Sequence, residues 1–221
     1  MGHGISLKVW GENACFTRPE MKAERVSYDV MTPSAARAIL EAIHWKPSIR
    51  WVIDRIHVLR PIAFSNIRRN EVMGKIPTTR IKGVMNGTTT EFAQYITEER
   101  QQRATLMLKD VEYVIDAHFE MTELAGKDDS PEKHYNMFIR RAKDGQCFNQ
   151  PYFGCREFPA FFELMEDGHA TTMSFYQPIE SKDLGWMLWD IDYKNDMRPI
   201  FFRAEMKRGT IEIPDLLQER R

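Results

Sequence analysis

The sequence predicts an α+β protein: a βαββαβ unit over residues 1–162, followed by a small antiparallel β domain over 163–221. Three observations predict it. Strict alternation of apolar and polar residues marks half-buried strands at Ile5 to Trp10 and at Val111 to Met121. Two amphipathic runs carry helix start and stop signals, one after Thr32 and one after Ser130. After about residue 162 the chain turns into short strand-like runs broken by Gly, Pro, Asp and Asn.

In the first strand Ile5, Leu7 and Val9 share one face, Ser6, Lys8 and Trp10 the other, and Gly11 ends it. From Phe16 to Tyr28 the chain is polar and aromatic and carries Arg18, Lys22 and Arg25. That composition suits RNA phosphates and bases, although such a segment taken alone is more often a solvated loop. Thr32 then caps a helix opened by Pro33, with Ala36, Ile39, Leu40 and Ile43 as its buried stripe, and Pro47 forbids its continuation. His44, Trp45 and Lys46 lie at its end. A histidine there is usually a helix-end or packing residue, because a cation is favoured near a C-terminus in any case.

Ile49 to Ile62 reads as one long strand or a bent pair, with His57 a structural residue inside it. Arg68, Arg69, Lys75, Arg80 and Lys82, against Glu71 alone and with Gly74 among them, predict a flexible positive loop. Such a loop fits either a phosphate backbone or a solvated insertion between strands. In the strand Val111 to Met121, His118 lies two residues from both Asp116 and Glu120, which predicts an ion-paired surface histidine.

The second helix is bounded by Asp129 or Ser130 as cap, Pro131 at the first helical position and Gly145 as the left-handed stop. Tyr135, Phe138, Ile139 and Ala142 form its buried face, leaving Lys133, Arg140, Arg141 and Lys143 on mostly exposed positions. Its first turn holds Lys133 and His134, where free N–H groups and a partial positive charge favour a phosphate and a neutral imidazole. In outline this is a phosphodiester-cleaving pair; the other reading is a solvated first turn. A further strand near Tyr152 to Phe158 completes the βαββαβ order of a ferredoxin-like (RRM-like) domain. With its two helices running roughly parallel, His44 and His134 would sit at opposite ends, about 16 Å apart. Beyond it, strands are expected at Thr171 to Tyr176, Gly185 to Tyr193, Pro199 to Lys207 and Thr210 to Ile213.

Composition narrows the chemistry. Lys and Arg number 31 against 32 Asp and Glu, so a nucleic-acid site must come from local charge separation. No apolar run approaches the roughly 20 residues of a membrane span, and the N-terminus lacks a basic n-region and apolar h-region, so a soluble cytoplasmic protein is expected. Cys15, Cys147 and Cys155 are an odd number without a C-x-x-C pair, against both a disulfide framework and a zinc knuckle. The six histidines are dispersed without H-E-x-x-H. Chemistry without a metal or other cofactor is favoured.

Several short motifs in order resemble one family: Phe16-Thr17-Arg18-Pro19-Glu20, Ser27-Tyr28-Asp29-Val30, Thr32-Pro33-Ser34-Ala35-Ala36-Arg37, Glu41-Ala42-Ile43-His44-Trp45-Lys46-Pro47, Lys133-His134, Phe153-Gly154-Cys155-Arg156-Glu157 and Asp183-Leu184-Gly185. Over nearly its whole length the chain resembles the CRISPR-associated Cas-five family, type I-C (Dvulg) subtype. The resemblance implies a metal-independent endoribonuclease that cuts the repeat of precursor CRISPR RNA beside its stem-loop. The product's 5′ handle would then stay bound as the protein joins the Cascade backbone and large subunits; the free protein is expected to be a monomer. Family members use a Tyr, a Lys and a His; the last two fall on Lys133 and His134, and the Tyr position falls on His44, a departure.

The implied reaction is attack of the ribose 2′-hydroxyl on the adjacent phosphorus, giving a 2′,3′-cyclic phosphate and a 5′-hydroxyl. His134 or His44 would take the 2′-proton, the other would protonate the leaving oxygen, and Lys133 would stabilise the nonbridging oxygens. Arg18, Lys22, Arg25, Lys46, Arg68, Arg69, Lys75, Arg80, Lys82, Arg140, Arg141 and Arg156 are the expected RNA-binding cations. The alternative is a subunit that binds the 5′ handle without cutting it.

Overall fold

The computed structural model describes residues 4–21, 23–88, 93–165, 174–193 and 195–216. In chain order the elements are β1 (Ile5–Ala14), β2 (Arg25–Val26), α1 (Pro33–Ile43), β3 (Ile49–Val58), β4 (Phe64–Val72), α2 (Thr78–Met85), β5 (Arg100–Met121), α3 (Pro131–Lys143), β6 (Phe161–Leu164), β7 (Lys182–Asp192), β8 (Arg198–Lys207) and β9 (Thr210–Glu212). The protein is of the α+β class. The main sheet runs β6-β1-β5-β3-β9-β8-β7, every neighbouring pair antiparallel, while β2 and β4 pair with the first half of β5.

The alternation read from β1 and β5 is the burial pattern observed: Ile5, Leu7, Val9, Val111, Tyr113, Ile115, Ala117 and Phe119 are buried. Against them pack Ala36, Ile39, Leu40 and Ile43 of α1 and Phe138 and Ala142 of α3. Trp51 on β3 joins the layers, its ring centred 5.4 Å from Phe119 and 4.8 Å from Phe138. Both helices start where local chemistry says they should. Thr32 accepts from the Ala35 N–H, and Ser130, rather than Asp129, accepts from that of Lys133. Gly145 takes φ +65°, and Gln146 N–H closes back on the Arg141 carbonyl at 2.8 Å, the glycine-terminated ending expected.

Several expectations are corrected. The stretch Arg68 to Lys82 is not a loop: β4 pairs with Arg100 to Leu108 of β5, and α2 crowns the hairpin. Arg100 to Ala104 pair with β4 alone among the described strands, so the hairpin stands clear of the sheet as an arm, and α2 buries no residue. Without a buried face its sequence lacks the apolar periodicity that announces an element. The last strand of the first unit is β6, on β1, whereas Tyr152 to Phe158 forms turns with one bridge from Tyr152 to Pro159. The expected strand Thr171 to Tyr176 lies partly outside the described residues, and 174–176 are not extended pairs. β3 ends at Val58 with a bulge between Ile53 and Arg55, so the single-strand reading of Ile49 to Ile62 overran it.

His118 pairs with Asp54, at 2.9 Å, and not with Asp116 or Glu120. Cross-strand neighbours approach more closely than residues two apart along one strand. Asp116 instead accepts from Ser6, Arg55 and His57, which fixes His57 between Asp116 and Thr210 as a structural residue. Near the middle of β5, Asp110 has φ +51°, and the pairing with β1 skips it. Among the described residues no helix is long and apolar enough to cross a membrane.

Candidate functional site

The expected 16 Å gap between the two histidines does not exist: His44 Nε2 lies 3.1 Å from His134 Nδ1. The reason is topological. β3 follows α1, β5 precedes α3, and these strands are antiparallel with Ile49 opposite Met121. The exit of α1 and the entry to α3 therefore meet at one end of the sheet. Thr122 stitches the two connections, donating from its N–H to the Ser48 carbonyl and from its hydroxyl to that of Pro47, at 2.9 and 2.6 Å.

The last turn of α1 leaves carbonyls without helical partners, and the site is built from what satisfies them. His44 N–H closes on Leu40 at 2.9 Å; Phe148 and Asn149 N–H groups both reach the Ala42 carbonyl; Arg141 Nη1 donates to Ile43 at 2.8 Å; and Trp51 Nε1 donates to His44 at 2.9 Å. His44 is wholly buried, and His134, in the first turn of α3, is 2 % exposed. Beyond His134, its Nε2 lies 3.2 Å from Ser48 Oγ and 3.3 Å from Asp129 Oδ1.

These contacts fix the resting protons. Arg141 Nη1, 3.4 Å from His44 Nδ1, can only donate, so Nδ1 is the acceptor and Nε2 carries the hydrogen. Nε2 donates to His134 Nδ1, which leaves His134 Nε2–H to face Asp129 and Ser48. The result is a directed chain, Arg141 to His44 to His134 to Asp129. Burial, then the charges of Arg141, His134 and Lys46, push the His44 pKa down to about 4, so this ring rests neutral. At the other end the Gly126 N–H, with Lys133 and His134 nearby, holds the Asp129 carboxyl below its ordinary range. Lys133 Nζ sits 3.6 Å from Asp129 and donates to the Asp128 carbonyl, its side chain half exposed beside the chain's end.

Of the predicted cations, Lys46, Arg141 and Arg156 line an open cavity of about 760 Å³ beside His44. Arg68, Lys75, Arg80 and Lys82 lie on the arm, exposed. Along the arm's outer half Glu71 pairs with Arg25 at 3.7 Å, and Arg69 pairs with Glu157 and lies over the Phe158 ring. Arg18 covers the Tyr28 ring at 4.4 Å, Arg140 is exposed on α3, and Lys22 falls outside the described residues. Sequence reasoning missed Ser48, the role of Asp129 beyond capping, and the aromatic lining of the cavity, Trp45, Phe148 and Tyr152. Only Asp129, four residues ahead of Lys133, left a local signal.

Comparison with known proteins gives the chain's family. A Cas5d profile, described as CRISPR-associated protein (Cas5), matches residues 4–214. The chain belongs to the Cas5d family. A CRISPR pre-crRNA endoribonuclease Cas5d of Mannheimia succiniciproducens is 53% identical over 221 residues, covering 99% of this chain and 98% of that protein. One of the same description from Thermus thermophilus is 38% identical, covering 95% and 91%. In fold, the chain matches a crystal structure of a CRISPR-associated protein with TM-score 0.70 at 24% identity, covering 96% of this chain and 92% of that one. A functionally uncharacterized Streptococcus mutans protein matches equally well, TM-score 0.70 at 22% identity, over 98% and 95%. The Cas-five resemblance is thus borne out, together with an overall fold shared with solved relatives.

Proposed function

We propose that this Cas5d-family chain is the endoribonuclease that cleaves precursor CRISPR RNA within the repeat, without a metal, and stays on the 5′ handle in Cascade, in the cytoplasm. Homology to Cas5d endoribonucleases supports the activity. The observation that carries the chemistry is the chain of hydrogen bonds through His44 and His134, open to cations at both ends. In this reading β6-β1-β5-β3 with α1 and α3 is a ferredoxin-like unit over 1–162, and 163–221 is an antiparallel extension joined through β9.

The substrate phosphate draws Arg141 away from His44 and frees the Nδ1 lone pair. Nδ1 takes the proton of the 2′-hydroxyl as its oxygen bonds to phosphorus. The Nε2 proton of His44 passes to His134 Nδ1, and His134 Nε2 gives its proton to the departing 5′-oxygen. One proton enters the pair and one leaves it, so both rings end neutral with their tautomers exchanged. Lys133 stabilises the charge on the nonbridging oxygens, and a 2′,3′-cyclic phosphate and a 5′-hydroxyl result. A histidine at the family's tyrosine position thereby completes an acid–base relay.

The second reading, a handle-binding subunit that does not cut, is favoured by one fact: both rings are covered, 0 % and 2 % exposed, with every nitrogen partnered. Incubation in EDTA with the protein's own repeat RNA, beside a copy with a single 2′-deoxy sugar 5′ of the cut, separates the two. Cutting of the first alone establishes metal-free transesterification; tight binding of both with no cut leaves the handle-binding subunit.

A further inference from the structure

The cavity beside His44 has an aromatic wall that the cleavage chemistry does not use. Trp45, Phe148 and Tyr152 are 51, 79 and 37 % exposed, an unusual cluster for side chains of this size, and all three line the same space. Lys46, Arg141 and Arg156 line the same cavity. The one carboxylate in the lining, Glu41, is engaged by Arg37 at 3.4 Å and is pushed toward its neutral form by burial. The walls are held firmly. Phe148 and Asn149 are bonded through their N–H groups to the Ala42 carbonyl, Gln150 donates to the carbonyls of Pro151 and Ala160, and Tyr152 bridges to Pro159.

Exposed rings and cations lining one cavity are what an unpaired nucleotide needs: a face for its base and charge for its phosphates. We propose that this groove stacks the base of an unpaired repeat nucleotide on Phe148, Trp45 and Tyr152, while Lys46, Arg141 and Arg156 take the flanking phosphates. The groove then sets which phosphodiester arrives at His44, so cut position follows from base stacking as well as from the stem-loop. This rests on the ribonucleoprotein reading above, since it names how the RNA is held.

The test uses the full-length protein and its repeat RNA carrying 2-aminopurine, or an abasic site, in turn at each unpaired position flanking the cut. Binding is expected to quench 2-aminopurine at one position. Phe148→Ala is expected to weaken binding about 5- to 150-fold, Phe148→Tyr to restore it, and the abasic RNA to bind the unaltered protein and Phe148→Ala alike. Phe148 is the preferred site because its ring is mostly exposed and its loss does not empty the core. Base-dependent binding without any cleavage supports the groove and sinks the nuclease reading. Cleavage with affinity unchanged in Phe148→Ala and Trp45→Ala, or with abasic RNA bound as tightly as intact RNA at every position, overturns the proposal while the nuclease stands, and leaves the aromatic face to a protein neighbour.

Discussion

The histidine site and the β4–α2 arm carry comparable chemistry-bearing residues in opposite settings. At the site, groups from α1, β3, α3 and two connections converge, His44 and His134 are buried, and each nitrogen has a partner. On the arm Arg68, Lys75, Arg80 and Lys82 are exposed, and α2 buries nothing. Buried groups act through placement and lose function steeply when one partner goes; exposed cations act through summed charge and fail gradually. On the proposed function, the contrast separates the residues assigned to cleavage from those assigned to attraction.

The hardest test of that division is at the site. His44→Ala and His134→Ala are each expected to lower the single-turnover cleavage rate about 100- to 10,000-fold while RNA still binds, read on gels under saturating protein. If the two single variants and the double variant lose the same factor, the rings act as one unit; losses that multiply would break the relay.

Next comes pH. His44 titrates near 6.5 when unfolded and at about 4 in the fold, so its contribution to stability is complete above pH 6.5 and is lost as pH falls toward 4. Up to about 3 kcal/mol is at stake. Thermal melts of the His44→Asn variant should show a shallower decline across that window than the unaltered protein; parallel declines would refute the burial argument.

A smaller effect isolates Arg141. Because its charge helps depress the His44 pKa, Arg141→Gln should raise that pKa above 4, followed by the ring C–H signals in NMR, while burial keeps it below 6.5. On the arm, Lys75→Ala and Lys82→Ala should each leave the melting temperature unchanged and reduce the slope of log affinity against log salt by at most about one. A melting loss there would mean the arm is packed after all.

What the sequence revealed follows the same line between local and non-local. Thr32, Ser130 and Gly145 announce helix ends within one turn, and Ile5 to Val9 and Val111 to Phe119 announce buried strand faces, so α1, α3, β1 and the second half of β5 are legible. Lys133 and His134 stand out through the helix start beside them. Ser48 meets His134 across 86 residues, and Arg141 meets His44 across 97, through a strand register that no local pattern encodes. The reversal between β3 and β5 alone would have put the two helix ends together; treating the helices as parallel overlooked it. Arg68 to Lys82 was illegible for a different reason, since an element with no buried face writes no periodicity.

β5 belongs to both regions. Its 22 residues run from the arm's tip to the threshold of α3, with Asp110 at the one point where the backbone leaves the ordinary strand conformation. The arm's nine paired residues run about 30 Å along β5 from the corner at Asp110, braced on the way by β2 and by Arg69 against Glu157. Under the proposed function, RNA gripped by the arm and threaded past His44 would be measured against a ruler made of one strand. Straightening the corner at Asp110 would recalibrate that ruler without touching any residue proposed to bind or cut.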